Sequence, residues 1–342
     1  YTPTRERTRT NNWSAIATSN GETVALKSDG TLWAWGSNEY GGQLGGGTTP
    51  TPTQVGSATN WSAIAGGGYH AVALKSDGTL WSWGDNMNGQ LGDGTNVDKH
   101  NPTQESTGAT NWSAIAAGTY HTVALKSDGT LWSWGRNGNG QHGNGSTVGY
   151  YNPSQIGSET NWSAISAGFY HTVALKSDGT LWAWGYNDRG QLGDGTTVDK
   201  HTPTQIGSAT NWSAIAGGAN HTASLRSDDT LWTWGSNDYG QLGDGTATIY
   251  GVPGKVTPTC SCGFYWTATF DLASGDTEGA VAFTIDFSDM SGNAGTQATS
   301  TTDSSSVTFD KTAPTLPSVA IDSDSATNSA TNELAKVGDT VT

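Results

Sequence analysis

The stretch Asn111-Trp-Ser-Ala-Ile-Ala-Ala-Gly-Thr-Tyr-His-Thr-Val-Ala-Leu-Lys-Ser-Asp-Gly-Thr-Leu-Trp-Ser-Trp-Gly135 decides the fold. Trp112 to Ala116 reads as a short strand, and after Gly118 the alternating run His121 to Lys126 reads as a second. Asp128-Gly129 supplies a tight turn, because this dipeptide tolerates the positive φ of a two-residue hairpin loop. The chain then returns antiparallel through Thr130-Leu-Trp-Ser-Trp134. A fourth, weaker strand is expected around Pro153 to Ile156. Its proline suits an edge, where a missing N–H interrupts no ladder.

This stretch is one of five copies. Trp13, Trp61, Trp112, Trp162 and Trp212 open them at spacings of 48, 51, 50 and 50 residues. The pairs Trp33/Trp35, Trp81/Trp83, Trp132/Trp134, Trp182/Trp184 and Trp232/Trp234 recur in phase as W-x-W-G, so these landmarks absorb all but one of the 16 Trp. Four short antiparallel strands per fifty residues, with Gly-rich connections and no helical pattern, predict an all-β chain. The architecture expected is a β-propeller of four-stranded antiparallel blades. Tyr1-Thr-Pro-Thr matches His201-Thr-Pro-Thr, the tail of a copy, so five full repeats plus a partial blade are expected, with at least one blade upstream. The ring closes if the ends meet; otherwise the blades form an open arc.

The chain has 342 residues, with 48 Gly and only 13% charged residues, so turns and aromatic packing must dominate. Its net charge of −15 divides as 13 basic against 19 acidic residues up to position 259, and 2 against 11 beyond it. Nucleic-acid binding needs clustered Lys and Arg, and the one local cluster is Arg5, Arg7 and Arg9, so no nucleic-acid partner is expected. No apolar run is long enough for a spanning helix, so no membrane insertion is expected either. Cys260 and Cys262 are the two cysteines, and a bridge across one intervening residue would be strained.

The run Gly118-x-Tyr-His121 … Leu125 … Asp128-Gly129 … Leu131-Trp-Ser-Trp-Gly135-x-Asn137-x-x-Gly140-Gln141 resembles the regulator of chromosome condensation repeat family. The match recurs in all five copies and includes G-Q-L-G-D-G-T at 190–196 and 240–246. The resemblance implies a propeller that typically has seven blades, hence about two more than are present here. Family members include an exchange factor for a nuclear GTPase and a bacterial protein that inhibits β-lactamases through one face of the ring. Fold alone does not choose between such functions. Glu22 replaces the repeated His in the first copy, His142 replaces Leu in the third, and Asp229 replaces the turn Gly in the fifth. Weaker packing or altered turns are expected at these three places.

From Trp266 the text changes to Thr, Ser and Asp. Ala280-Val-Ala-Phe-Thr-Ile-Asp-Phe287, Asp286-Phe-Ser-Asp-Met-Ser-Gly-Asn293, Val307-Thr-Phe-Asp-Lys-Thr-Ala-Pro314 and Leu334-Ala-Lys-Val-Gly-Asp-Thr-Val341 resemble bacterial immunoglobulin-like repeats of cell-surface proteins. Two regions are therefore expected: the propeller at 1–258, and a partial immunoglobulin-like β-sandwich region at 259–342. The latter looks like the back half of one repeat to about 310 and the front half of the next.

His70, His121, His171 and His221 occupy equal positions and could ring the channel mouth as a metal or proton-relay set. The favoured reading is structural, a His at the start of a buried strand that hydrogen-bonds a neighbouring loop. Asp93, Asp194 and Asp244 sit in G-D-G-T loops and read as turn anchors rather than Ca²⁺ ligands, since Asn144 and Gly46 fill the same place elsewhere. Asn12, Asn60, Asn111, Asn161 and Asn211 open N-W-S sequons whose fixed place before a strand favours a turn role. No unique catalytic grouping stands out from the repeats, so neither an enzyme nor a cofactor or metal is expected.

The loops after W-x-W-G keep one Asn, suited to a left-handed or side-chain-bonded turn, and vary around it. The candidate partner-binding residues in these loops are Tyr40, Met87, Tyr186, Arg189 and Tyr239, with exposure expected for the tyrosines and Arg189. Tyr69, Tyr120 and Phe169 before the repeated His are further candidates, although Tyr69, Tyr120 and Tyr170 share one position and could instead pack between blades. The expected function is a non-enzymatic scaffold binding a protein or glycan ligand, within a large secreted or cell-surface bacterial protein. The alternatives are a guanine-nucleotide exchange or other regulatory propeller, and a polysaccharide-active enzyme using the channel.

Overall fold

The computed structural model describes residues 11–37 and 49–256 in full, and the backbone of four short strands beyond them. The chain divides into two units, Tyr1–Pro258 and Thr259–Thr342. In the second unit Tyr265–Ala268 pairs antiparallel with Val319–Asp322, and Gly279–Ala280 with Thr308–Phe309. The rest of the segment expected to be immunoglobulin-like, and both cysteines, lie outside the described residues.

The described part of the first unit is five sheets of four antiparallel strands, each in sequential order. In the third blade the strands are Trp112–Ala117, His121–Lys126, Leu131–Gly135 and Tyr150–Gln155. The first strand of each blade packs against the first strand of the next, so it is innermost, and the Pro-bearing fourth strand is the outer edge. Among the described residues there is no helix.

The hairpin turn is one residue longer than the two-residue loop expected from Asp128-Gly129. Gly129 N–H donates to Lys126 O (2.9 Å) and Lys126 N–H to Thr130 O (3.1 Å), with Gly129 alone at positive φ (+78°). This is a type I turn closed by a left-handed glycine, a common three-residue solution. Asp128 serves as the turn's acceptor instead. Its Oδ1 takes Thr130 N–H (3.0 Å) and Thr130 Oγ1–H (2.6 Å), and Thr130 Oγ1 accepts from Trp132 Nε1 (2.9 Å).

The cores lie between blades. Val123, Leu125 and Leu131 of the third blade, with Ile156, pack on Trp162, Ala174 and Trp184 of the fourth, and three further clusters repeat this arrangement. The two rings of each W-x-W pair do different work. Trp83, Trp134, Trp184 and Trp234 are fully buried against the preceding blade. Trp132 is half-buried, edge-on to Trp112 at 5.7 Å, with the Lys126 ammonium 3.9 Å from its ring centre.

Leu175 and Leu181 are buried under the fifth blade, whereas their counterparts Leu225 and Leu231 in the fifth blade are 41% and 40% exposed. At the other extremity Ile16 is 74% exposed and Trp35 is half-buried. The described blades thus form an arc with one exposed face at each end.

Candidate functional site

Antiparallel order sets the connections between strands one and two, and between strands three and four, at one end of the channel. The Asp-Gly turns and the blade-to-blade linkers fall at the other. The first end is built on a backbone belt: Gly68 N–H donates to Gly118 O (3.0 Å), Thr119 N–H to Phe169 O (3.2 Å) and Phe169 N–H to Ala219 O (3.2 Å). The belt bounds a cavity of about 390 Å³, lined by glycine and alanine together with the rings of Tyr69, Tyr120, Phe169 and Tyr170.

Directly above the belt, Tyr69 and Tyr120 stack at 5.2 Å and 26°, and Tyr120 and Tyr170 at 6.4 Å and 21°. These tyrosines therefore pack on one another across blades, the structural one of the two roles considered from sequence. Arg136 lies over this ladder, its Cζ 5.1 Å from the Tyr170 ring and 5.9 Å from Tyr120. Tyr186 meets Tyr170 edge-on at 6.2 Å and is half-buried, less exposed than expected because the ladder holds its ring. Burial, and then Tyr69, pushes the Tyr120 phenol up to about 12; a hydrogen bond to Asp188 does the same for Tyr186. Both stay protonated at neutral pH.

The repeated histidines do not ring the mouth. His70, His121 and His171 are fully buried beneath it, each with Nε2 against a threonine hydroxyl of the next blade: Thr122 (2.9 Å), Thr172 (3.2 Å) and Thr222 (3.1 Å). A Cβ at Gly118 would stand 2.2 Å from His121 Cε1, so the glycine before each histidine makes room for the imidazole. Burial holds His70 and His171 down to about 3.

In the outer loops the repeated Asn is side-chain-bonded, not left-handed. Asn187 is buried, its Nδ2 donating to Asp194 Oδ1 (3.0 Å), Thr196 O (3.0 Å) and Val198 O (3.2 Å), while its Oδ1 accepts Leu192 N–H (3.0 Å). Asp194 also pairs with Lys200 at 3.1 Å. Burial works to raise its carboxyl, yet bonds from Thr196, Lys200 and Asn187 prevail and hold it below the ordinary range. Among the described residues no three His, Cys, Asp or Glu converge as a metal site.

Rigid loops present the other candidates. Met87 and Tyr239 stand at loop tips, Tyr239 94% exposed, and Phe169 is exposed beside Tyr170. Arg189 is exposed between Asp188 (3.9 Å) and Asp238 of the next blade (3.6 Å). Tyr40 lies outside the described residues. Two features were missed from sequence: Arg136, and an exposed valine at one loop position in three successive blades, Val97, Val148 and Val198. The valines could have been found from their repetition two residues after the loop Thr or Ser. Met87, Val97, Val148, Phe169, Val198 and Tyr239 all belong to this end of the channel; beside the turns of the other end, the large exposed apolar side chains among the described residues are Leu225 and Leu231 of the fifth blade.

A model of the RCC1-like domain matches residues 2–277. The chain belongs to the RCC1-like domain family. It is similar to the mitochondrial RCC1 domain-containing protein RUG3 of Arabidopsis thaliana, 30% identical over 42% of this chain and 35% of that protein. It also resembles the human E3 ubiquitin-protein ligase HERC2, 29% identical over 42% of this chain and 3% of that protein. The chain thus spans about a third or less of the length of these relatives. Among solved structures, yeast RCC1 (Prp20) bound to Kap60 superposes with a TM-score of 0.65 at 24% identity, covering 72% of this chain and 61% of that one. Human WBSCR16 gives 0.64 at 22%, covering 72% and 67%. At these identities the superpositions speak for the fold.

The first blade of this RCC1-like domain departs from the repeat at a whole set of positions. Glu22 takes the His place, Ser19 the Gly place before it, and Ala71 the Thr place on the next blade. Ser19 Oγ donates to Glu22 Oε2 (3.2 Å), and burial pushes the Glu22 carboxyl up to about 8. His142 is fully buried and stacked on Tyr150 at 5.7 Å, and burial lowers it to about 4 against the opposing pull of the Trp134 and Gly135 backbone. The expected alteration at Asp229 is absent: the turn keeps its form, with Asp229 itself at φ +62°.

Proposed function

We propose that this RCC1-like domain is a non-enzymatic, protein-binding scaffold, and that its partner docks on the loop end carrying Met87, Phe169, Arg136, Tyr186, Arg189 and Tyr239. The observation that carries this is the gathering of exposed apolar loop side chains around a pre-ordered Tyr–Arg ladder. Tyr and Arg on rigid supports dominate interface energetics, and loops fixed by buried Asn lose little entropy on binding. Yeast RCC1, with the same fold, has been solved bound to Kap60, and Prp20p has been studied for binding to Gsp1p and histones, so this architecture supports protein recognition. A protein is favoured over a glycan because the ladder tyrosines stack on each other, leaving less ring face for a sugar. We place the protein at the cell surface or outside a bacterial cell, a reading supported by its acidic composition and the immunoglobulin-like text after residue 266.

The test is capture from the native environment on immobilised protein, comparing wild type with Phe169→Ala/Tyr239→Ala and with Asp128→Asn at the opposite end. A partner lost by the first variant and kept by the second is expected. Equal capture by both, or polysaccharide turnover by the purified chain, would overturn the proposal.

A further inference from the structure

At the loop end of the channel Lys99 meets Asp93 (3.1 Å), Lys200 meets Asp194 (3.1 Å) and Arg189 meets Asp238 (3.6 Å). Arg136 is exposed at the same end and pairs with no carboxylate among the described residues. The repeat shows where its acid would stand. In the fourth and fifth blades the side chain that follows W-x-W-G is served by an aspartate two positions on: Tyr186 bonds to Asp188, and Ser236 Oγ donates to Asp238 Oδ2 (3.3 Å). In the third blade that position is Gly138. A Cβ built on Gly138 would stand 3.7 Å from Arg136 Nε and 4.0 Å from Nη2, with nothing nearer, so the place where the neighbouring loops hold a carboxylate is open beside the guanidinium. The acid of the second blade is already engaged, since Asp85 is buried and its Oδ1 accepts Met87 N–H (2.9 Å).

The surroundings of Arg136 suit it to a ligand from outside. The rings of Tyr120 and Tyr170 support the guanidinium, at 5.9 and 5.1 Å from Cζ, and so limit the freedom it would lose on binding. Beside it, between the second and third blades, lies a cavity of about 270 Å³ lined by Met87, Asn88, Thr147 and Tyr151 along with Arg136 and Gly138. Exposed Met87 and Tyr151 give that cavity an apolar rim that sheds water, which strengthens an ion pair formed within it. We propose that Arg136 receives an Asp or Glu side chain of the protein partner, which enters this cavity and takes the place that Asp188 and Asp238 hold in their own blades. The inference rests on the loop end being the docking face. A planar guanidinium offers paired donors that match a carboxylate, and on a chain of net charge −15 an acidic group is disfavoured over most of the surface, so this one contact would fix the partner's register.

The test is selection of a random linear peptide library, displayed on phage, on the immobilised full chain, with the retained clones measured against variants. Clones that share an Asp or Glu are expected. Their binding should fall about tenfold on Arg136→Gln, and less on Arg136→Lys, which keeps the charge but not the planar fork. Gly138→Asp supplies the carboxylate from within the loop and should weaken binding by about tenfold or more, and Gly138→Asn, of the same size but uncharged, much less. Changing the shared acid of a clone to its amide should cost wild type about tenfold and Arg136→Gln nothing further. Clones that are lost on Phe169→Ala/Tyr239→Ala but indifferent to Arg136→Gln would overturn this inference and leave the loop end as the docking face. Clones indifferent to both variants, or no retained clone, would count against both. Equal effects of Gly138→Asp and Gly138→Asn would also overturn it, because bulk rather than charge would then be what the space excludes.

Discussion

The Nε2 atom of His121 lies 3.2 Å from Oγ1 of Thr172 on the next blade, and that hydroxyl donates its single hydrogen to Gln141 O at 2.8 Å. With its proton committed, the threonine can only accept from the imidazole, so His121 is neutral with its hydrogen on Nε2. The same carbonyl receives the Trp184 indole N–H at 2.9 Å, so each of the three interfaces from the second blade to the fifth is fastened by a three-part polar staple inside an apolar contact. Replacing Thr172 with Val keeps the shape but strands the imidazole N–H. The expected cost is about 1 to 3 kcal/mol, as for a buried donor left unmade. Thr23→Val, at the equivalent and half-buried position of the first blade, should cost less, ~0.5 kcal/mol. Urea unfolding of the two variants checks this; equal losses would show that the staple contributes nothing.

The first blade solves the same problem with Ser19, Glu22 and Ala71, and the three residues are expected to be coupled. Glu22→His alone should destabilise, because the Ser19 Cβ stands where the other blades leave room for the ring and Ala71 offers no hydroxyl. Adding Ser19→Gly and Ala71→Thr rebuilds the standard staple and should recover the loss. The triple variant should therefore be more stable than the sum of the separate effects by about 0.5 to 3 kcal/mol, the range for residues in direct contact. Additive midpoints in denaturant would refute the coupling.

The repeat made the blades legible because each local signal agreed with the fold. Trp112 opens a strand, Gly129 turns it, and Pro153 marks the edge, so strand order and blade phase could be placed before any coordinates. Identical copies also hid information. A residue that recurs in every blade carries the fold, and the role of His121 depends on a hydroxyl 51 positions away, which no local pattern reveals. The binding face was only half legible for the same reason: Tyr239 and Met87 stood out as variable, whereas Arg136 gains its meaning from two rings in its own and the next blade. Tyr186 looked exposed in sequence and is held at its edge by Tyr170.

Two sets of left-handed glycines should respond very differently to alanine. Gly157 has φ +64° and nothing within 4 Å of a Cβ built on it, so Gly157→Ala carries only the cost of the left-handed backbone, about 1 to 2 kcal/mol. Gly129, at φ +78°, has the Thr160 carbonyl 2.0 Å from that Cβ, so Gly129→Ala adds overpacking of about 1 to 3 kcal/mol and wedges two blades apart. Thermal melts should rank Gly129→Ala well below Gly157→Ala, and the reverse order would contradict the close blade-to-blade approach.

The pH dependence of stability should have two limbs of opposite slope. His70 and His171 sit at about 3 and His142 at about 4 in the folded chain, with His121 also well below 6.5, all through burial. Unfolded histidines titrate near 6.5, so below that pH the unfolded chain binds more protons and stability falls as pH drops from about 6.5 toward 3. Glu22 acts the other way. Its folded value of about 8 exceeds the unfolded 4.5, so the stability it contributes is complete below 4.5 and is lost as pH rises through 8. Above about 6.5 the histidine limb is exhausted and only Glu22 still acts, which sets the maximum near pH 6 to 7. Glu22→Gln is expected to abolish the alkaline decline in Tm between about pH 6.5 and 8.5 and to leave the acid limb unchanged. His142→Leu, which installs the residue the other blades carry, should make the acid limb shallower and leave the alkaline one alone. A wild-type Tm that is level across the alkaline window would mean that Glu22 reaches solvent when it ionises, and that the first two blades are not sealed around it.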